Sequence, residues 1–320
     1  MCGIAGWIDC RKLCDSTAIM RRMAQTMTPR GPDSGGFYTD DNCALAHRRL
    51  SVIDPAGGSQ PMSRPYGGDR FTIVYNGELY NTAELRSELE SMGVEFTTAS
   101  DTEVLLNAYI TWGESCLDKL NGIYAFAIWQ EREKQLFLAR DRIGVKPLFY
   151  YEYAGGLIFA SEIKTLLAHP MIEPVIDRDG IAQIMLLGPA RKPGSGIFKG
   201  IKELCPAECA MYCRCGLKKR SYWTLRALPH KESPEETEQH VAYLLTDAIK
   251  RQLVSDVPLC TMLSGGLDSS IISAVAAKEF ESKVRQLTTC SIDYKELSQQ
   301  YFSTRYGRAV DTRNVSIHRL

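Results

Sequence analysis

Cys2 follows the initiator methionine directly, in Met1-Cys2-Gly3-Ile4-Ala5-Gly6, and this placement constrains the chain more than any other feature. A small second residue permits removal of Met1. A cysteine at the chain end would then carry both a thiol and a free α-amine. The thiolate is the reactive form, and a free cysteine is only a few per cent thiolate near neutral pH. An α-amine, with a pKa of about 7.7–8.0, can take the thiol proton. One residue then holds nucleophile and base together, as an amino-terminal threonine does with its own amine. The rival reading is a small buried hydrophobe, which is how inert cysteines behave.

The segments RGPDSGG (Arg30 to Gly36), HRRLSVID (His47 to Asp54), YNGELYN (Tyr75 to Asn81) and SDTEV (Ser100 to Val104) follow in that order. With MCGIAGW, they resemble the class II glutamine amidotransferases, whose amino-terminal cysteine hydrolyses glutamine. ARDRIGVKPLFY (Ala139 to Tyr150) and SGGLDSS (Ser264 to Ser270) narrow the resemblance to the glutamine-hydrolysing asparagine synthetases. It covers nearly the whole chain and implies that the chain stops partway through that family's second domain.

The chain has 320 residues, enough for two domains. It is 44% hydrophobic and 24% charged with zero formal net charge, so nothing in its charge argues for a nucleic-acid or membrane partner. No apolar run approaches the roughly 18 residues of a spanning helix, and no secretory signal is visible at the amino terminus. The 11 cysteines are scattered and odd in number, which reads as the reduced thiols of a cytoplasmic protein.

To about residue 200 the pattern alternates between strands and helices. Gly3 to Ile8, Phe71 to Tyr75, Ile123 to Trp129 and Lys134 to Ala139 are strand candidates. Thr17 to Met27, Thr82 to Met92 and Thr102 to Trp112 have helical spacing, with Ser100 and Asp101 as candidate caps for the last. The resemblance implies an α+β first domain at 1–200, an αββα sandwich of the N-terminal-nucleophile type. Residues 190–200 read as a loop and Glu203 to Trp223 as a hairpin turning near Gly216. Leu228 to Glu236 reads as a linker, which places a hairpin and linker at 201–236. At 237–320 a helix (Thr237 to Leu253), a buried strand (Pro258 to Leu263), a Gly-rich loop, a helix from Ser269 and a strand (Gln286 to Ile292) suggest the start of an α/β parallel-sheet nucleotide-binding domain. Asn314 to Ile317 is a further strand candidate. The helix at 237–253 carries Val241, Leu244, Leu245, Ala248 and Ile249 on one face.

Amide hydrolysis through a thioester needs a nucleophile, a base, an oxyanion site and a hold on the substrate's amino-acid end. Cys2 supplies the first two. Asn76 and Gly77 offer a side-chain amide and an unobstructed backbone N–H, and the resemblance implies that they form the oxyanion hole. On their own they would read as an Asn-Gly turn. A guanidinium matches a carboxylate with two hydrogen bonds, and the resemblance assigns the glutamine carboxylate to Arg49 and its ammonium to Asp101. Glu78 matches a position that orders the backbone and contacts the amine. Arg48 reads as a solvated charge. Arg30 and Asp33 read as loop organisers.

SGGLDSS follows the apolar run VPLCTML and opens a helix. Glycines let backbone approach an anion there, and a helix N-terminus supplies N–H donors and a positive dipole. The loop lacks the Gly-Lys-Ser/Thr ending of a Walker motif and resembles the pyrophosphate loop of ATP pyrophosphatases. The resemblance implies that Leu263, Ser264, Gly265, Gly266, Asp268, Ser269 and Ser270 bind ATP, with Asp268 holding Mg²⁺. Cys205, Cys209, Cys213 and Cys215 lack the paired C-x₂-C spacing of common zinc sites and are not assigned a metal.

The implied activity is glutamine-dependent asparagine synthesis. Ammonia released at Cys2 would pass to an aspartyl-AMP made from aspartate and ATP, in a soluble enzyme that the resemblance allows to be a homodimer. Three alternatives stay open: a fragment that retains only glutaminase activity, another carboxylate acceptor, and a non-catalytic remnant that binds a partner. Retention of Cys2, Arg49, Asn76 and Asp101 argues against the remnant.

Overall fold

The computed structural model describes residues 1–11, 17–283, 285–292 and 315–319. They fall into two compact units, Met1–Ala227 and Leu228–Leu320.

In chain order the first unit opens with β1 (Gly3–Asp9), α1 (Thr17–Thr26), β2 (Ser34–Thr39), β3 (Cys43–Arg49), β4 (Met62–Tyr66) and β5 (Asp69–Leu79). Next come α2 (Thr82–Ser91), α3 (Asp101–Trp112), α4 (Cys116–Lys119), β6 (Gly122–Gln130) and β7 (Gln135–Arg140). It closes with β8 (Phe149–Tyr153), β9 (Gly156–Ala160), α5 (Ile163–Leu167), α6 (Arg178–Leu187), β10 (Ile201–Glu203), β11 (Glu208–Cys213) and β12 (Gly216–Ser221). Two six-stranded sheets result, ordered β10-β8-β9-β1-β3-β2 and β12-β11-β7-β6-β5-β4, and every pairing given for them is antiparallel.

Side-chain alternation along the strands builds three apolar layers. Ile4 and Ile8 of β1 point between the sheets, where they meet Leu45, Val74, Trp129 and Phe159. Ala5 and Trp7 point the other way, onto Met20, Met23 and Met27 at α1 and Leu166 of α5. With both faces covered, all seven residues of β1 are buried. On the far side of the second sheet, Ile73, Tyr75, Phe126 and Phe137 pack with Leu85 and Leu89 of α2 and Val104, Leu105 and Tyr109 of α3. Helix, sheet, sheet and helix layers therefore stack as the αββα sandwich.

The segment set apart as a hairpin and linker at 201–236 is divided differently. Strands β10 to β12 are members of the two large sheets, so the first unit runs on to Ala227 rather than closing near residue 200. Leu204, Ala210 and Tyr212 fill the space between the sheets, which is why this hairpin cannot stand outside the domain.

The second unit holds α7 (Pro234–Arg251), β13 (Cys260–Met262), α8 (Leu267–Ser282), β14 (Thr288–Ile292) and β15 (Val315–Arg319). β13 and β14 are parallel, as the strand-helix-strand pattern requires, and β15 adds antiparallel to β14. Asn314 lies outside the described residues. α7 begins at Pro234, three residues before the expected start. Ser233 and Glu236 form a reciprocal capping box, and Pro234 takes the first-turn position that proline tolerates. The expected apolar face of α7 is open, with Val241, Leu244 and Leu245 exposed. α8 starts at Leu267, inside the Gly-rich motif rather than after it.

Candidate active site

Cys2 sits immediately before β1, a central strand of the first sheet. Its Sγ lies 3.6 Å from the Leu50 carbonyl oxygen, and burial pushes the thiol pKa up. Arg30 Nε donates to the Cys2 carbonyl at 2.9 Å, and the Met1 amine donates to the Arg30 carbonyl at 3.0 Å. Arg30 thus clamps the main chain at the nucleophile. Asp33 accepts from the Ser51 amide at 2.8 Å and ties the neighbouring loops, in keeping with an organising role.

A narrow cleft opens beside the thiol. It is lined by Cys2, Arg49, Gln60, Gly77, Glu78 and Asp101 among others, so the residue just before β1 and residues from β3, β5 and α3 converge there. Asn76 does not line it. Asn76 is only 1% exposed, and its Nδ2 is buried without a hydrogen-bond partner. Strand geometry explains where it points. Val74 packs between the sheets and Tyr75 on the helix side, so alternation turns Asn76 toward the inter-sheet side and the sheet that carries Cys2.

The edge of β5 is unusual here. β4 pairs with β5 only from Asp69 to Ile73. Beyond that, Tyr75 has no β4 partner, and polar side chains replace one. Its amide donates to Gln60 Oε1 at 2.6 Å, and His47 Nε2 lies 3.1 Å from its carbonyl oxygen. A carbonyl only accepts, so that nitrogen carries the proton. Burial pushes the His47 pKa down to about 4, which keeps the ring neutral. Strand alternation puts the Gly77 N–H on this same open edge. A Cβ at Gly77 would meet the Ile123 carbonyl oxygen at 2.4 Å and the Tyr75 ring at 2.5 Å, so no larger residue fits without a shift.

Arg49 is buried and folds the loop beneath it. Nη1 donates to the Pro55 carbonyl at 2.9 Å, and Nη2 donates to those of Ile53 and Asp54 at 2.9 and 2.7 Å. Gly58 leaves room for this, since a Cβ there would sit 2.4 Å from Nη2. Arg48, expected as a solvated charge, is half-buried and donates to the Gly31 carbonyl at 3.1 Å. The register explains why: Arg48 lies opposite Gly35 on β2, beside the RGPDSGG turn.

Asp101 is the first residue of α3, and Ser100, not Asp101, is the cap, accepting from the Thr102 amide. The Asp101 Oδ2 accepts from the Tyr75 hydroxyl at 3.0 Å and from the Leu79 amide at 3.4 Å. Burial raises its pKa, while those hydrogen bonds work in the opposite direction. Glu78 is half-buried, and burial followed by the charge of Asp101 pushes its pKa up to about 7. Lys146, from the ARDRIGVKPLFY segment, opposes that rise. Burial lowers the pKa of Lys146, and the charges of Glu78 and Cys2 raise it. Neither Lys146 nor Gln60 carries a site role in the sequence analysis. Lys146 was marked only by its motif, and Gln60 by no signal. A thiol, a backbone N–H edge, a guanidinium and a buried carboxylate line one cleft, with the unpartnered Asn76 amide buried behind its Gly77 edge; these are groups that can serve transfer of an amino-acid acyl group to sulfur.

In the second unit, SGGLDSS joins β13 to α8. Gly265 has φ +80°, the left-handed conformation open to glycine, and Gly266 caps α8 without a side-chain hydrogen bond. Ser264 and Ser269 hydroxyls lie 3.0 Å apart, and the Ser270 hydroxyl donates to the Gly266 carbonyl at 2.8 Å. The Leu263 amide donates to the Cys290 carbonyl at 2.8 Å, which fixes the strand end. Among the described residues no group of three His, Cys, Asp or Glu is placed to hold a metal, Cys205 to Cys215 included. No helix among them is long and apolar enough to cross a membrane.

Residues 1–223 match the family model of the glutamine amidotransferase domain, and residues 240–319 match that of asparagine synthase. Glutamine-hydrolyzing asparagine synthetase 3 of Bacillus subtilis is 51% identical over 304 residues, covering 94% of this chain and 49% of that protein. Glutamine-hydrolyzing asparagine synthetase B of Escherichia coli is 33% identical, over 87% of this chain and 45% of that protein. The chain spans about half the length of these curated relatives. A glutamine phosphoribosylpyrophosphate amidotransferase from B. subtilis superposes with a TM-score of 0.51 at 17% identity, over 98% of this chain and 71% of that one, a likeness of fold alone. Sandwich, cleft and family match agree: the chain belongs to the glutamine amidotransferase domain family, followed by sequence of the asparagine synthase family.

Proposed function

We propose that the first unit hydrolyses the side-chain amide of L-glutamine through a thioester on Cys2. The unpartnered Asn76 Nδ2, turned toward the sheet that carries Cys2, is the observation that carries this reading. A buried donor without a partner costs about 1–3 kcal/mol, and an oxyanion that appears only during reaction is the acceptor that justifies it.

Once Met1 is removed, the Cys2 amine takes the thiol proton as sulfur attacks the amide carbon. The oxyanion is met by Asn76 Nδ2 and the Gly77 N–H. The intermediate collapses to the thioester, and the amine returns the proton to the departing ammonia. Water then attacks the thioester and releases glutamate. Arg49 takes the substrate carboxylate, and Asp101 with Glu78 takes its ammonium. Rapid acid quenching during turnover, followed by peptide mass spectrometry, should find a glutamyl adduct on Cys2. An adduct-free Cys2 under conditions where ammonia is being formed would exclude this chemistry.

The second unit we assign to ATP and aspartate, with the ammonia as the nucleophile that yields asparagine. The α8 N-terminus has no side-chain cap, and Ser264, Ser269 and Ser270 surround it with hydroxyls, so an anionic pyrophosphate fits. Asp268, in the first turn, would hold Mg²⁺ together with phosphate oxygens. The ion would neutralise phosphate charge there.

A further inference from the structure

Tyr75 is anchored at three points, and only one of them faces a charged group. Its amide and carbonyl are held by Gln60 and His47, which fixes the backbone beside Asn76. Its hydroxyl, fully buried on the helix side of β5, donates to Asp101 Oδ2 at 3.0 Å. Asp101 is only 6% exposed. A carboxylate that deep favours its neutral form unless donors hold the charge. A neutral acid would not pair with a substrate ammonium.

We propose that Tyr75 is a specificity-determining positioning residue: its hydroxyl keeps Asp101 ionised and aimed, and so makes the cleft select ligands that carry an α-ammonium group. The inference rests on the glutaminase reading for its substrate but not for its test. Tyr75 also lines the cleft, and its hydroxyl acts there through Asp101. The ring itself fills the α3 interface with Phe126 and Phe137 and is kept in the Tyr75→Phe variant.

The test compares the 320-residue wild type with Tyr75→Phe in two measurements. In glutamine hydrolysis, KM should rise about 10- to 100-fold, the loss expected when a hydrogen bond to a charge is removed, while kcat stays within about threefold. In calorimetry, L-glutamate binding should weaken by the same factor. In an Asp101→Asn background the same Tyr75→Phe change should alter L-glutamate binding by less than about threefold, because the charge it supports is gone. An unchanged L-glutamate affinity in Tyr75→Phe, or a fall in kcat at constant KM, would overturn the proposal. Absence of ammonia release from wild type would overturn the glutaminase reading, and the calorimetric arm would still decide the role of Tyr75. If Tyr75→Phe is insoluble, Tyr75→His decides it: the imidazole carries an N–H whether neutral or charged, so L-glutamate affinity within about tenfold of wild type supports the role, and a larger loss opposes it.

Discussion

His47 Nε2 lies 3.1 Å from the carbonyl oxygen of Tyr75, so the two sheets are tied together at the level of the reactive groups. His47 sits opposite Ile4 on β1, two residues from Cys2, and Tyr75 immediately precedes Asn76. One buried imidazole on β3, the strand paired with β1, thereby reaches the strand that carries Asn76.

If its amide serves the oxyanion as proposed, Asn76→Ala should lower kcat for glutamine hydrolysis by about 100- to 1,000-fold and leave KM little changed. Since Nδ2 has no hydrogen-bond partner in the resting protein, its removal breaks no hydrogen bond made by that atom, and the melting temperature should fall by no more than the lost packing of one small buried side chain requires. Steady-state kinetics with a thermal melt checks both statements.

Arg49→Ala should behave differently. Loss of a charge-assisted carboxylate contact should raise KM about 10- to 100-fold. It also leaves the carbonyls of Ile53, Asp54 and Pro55 without their donor, so stability should fall by about 1–3 kcal/mol. Arg49→Lys keeps the charge but not the fork, and should recover little of either. Kinetics and urea unfolding of the two variants measure this.

The stability of the first unit should show two opposed pH dependences. Glu78 binds its proton more tightly when folded, with its pKa raised to about 7 by burial. Its stabilising contribution is full below about pH 4.5 and lost as pH rises to about 7. Glu78→Gln should therefore be more stable than wild type at pH 8, by on the order of 2 kcal/mol, with the gap closing toward pH 5. His47 and His169 have pKa values pushed down to about 4 by burial. Their contribution is present above about pH 6.5 and lost as pH falls to about 4. Urea midpoints across pH 4–8 would show a pH-independent gap for Glu78→Gln if the burial argument were wrong.

Much of the site was legible in the sequence because its parts are short and local. Cys2, Asn76-Gly77 and the SDTEV turn each fall within a short motif, and the resemblance carried by the ordered set, not any one of them alone, points to their roles. The structure adds why Glu103 belongs in that turn: its carboxylate accepts from the amides and hydroxyls of Thr97 and Thr98 and folds the approach to α3. What was not legible depends on distant pairing. Gln60 matters only because β4 leaves the edge of β5 at Ile73, and no local pattern encodes that. Strand order is long-range for the same reason, so β11 and β12 read as a separate hairpin although they complete a sheet. The start of α7 was legible in Ser233-Pro234-Glu235-Glu236 as a capping box but was hidden by the polar run before it.

We propose Cys2 as the nucleophile of a glutaminase. Ammonia release from L-glutamine, measured on the 320-residue chain and its Cys2→Ala variant, tests it most directly. Mass spectrometry should show wild type beginning at Cys2, with ammonia and glutamate formed in equal amounts. Cys2→Ala should be folded, with an unchanged thermal midpoint, and should release no ammonia above background. Ammonia release by Cys2→Ala at a rate near wild type would contradict the account.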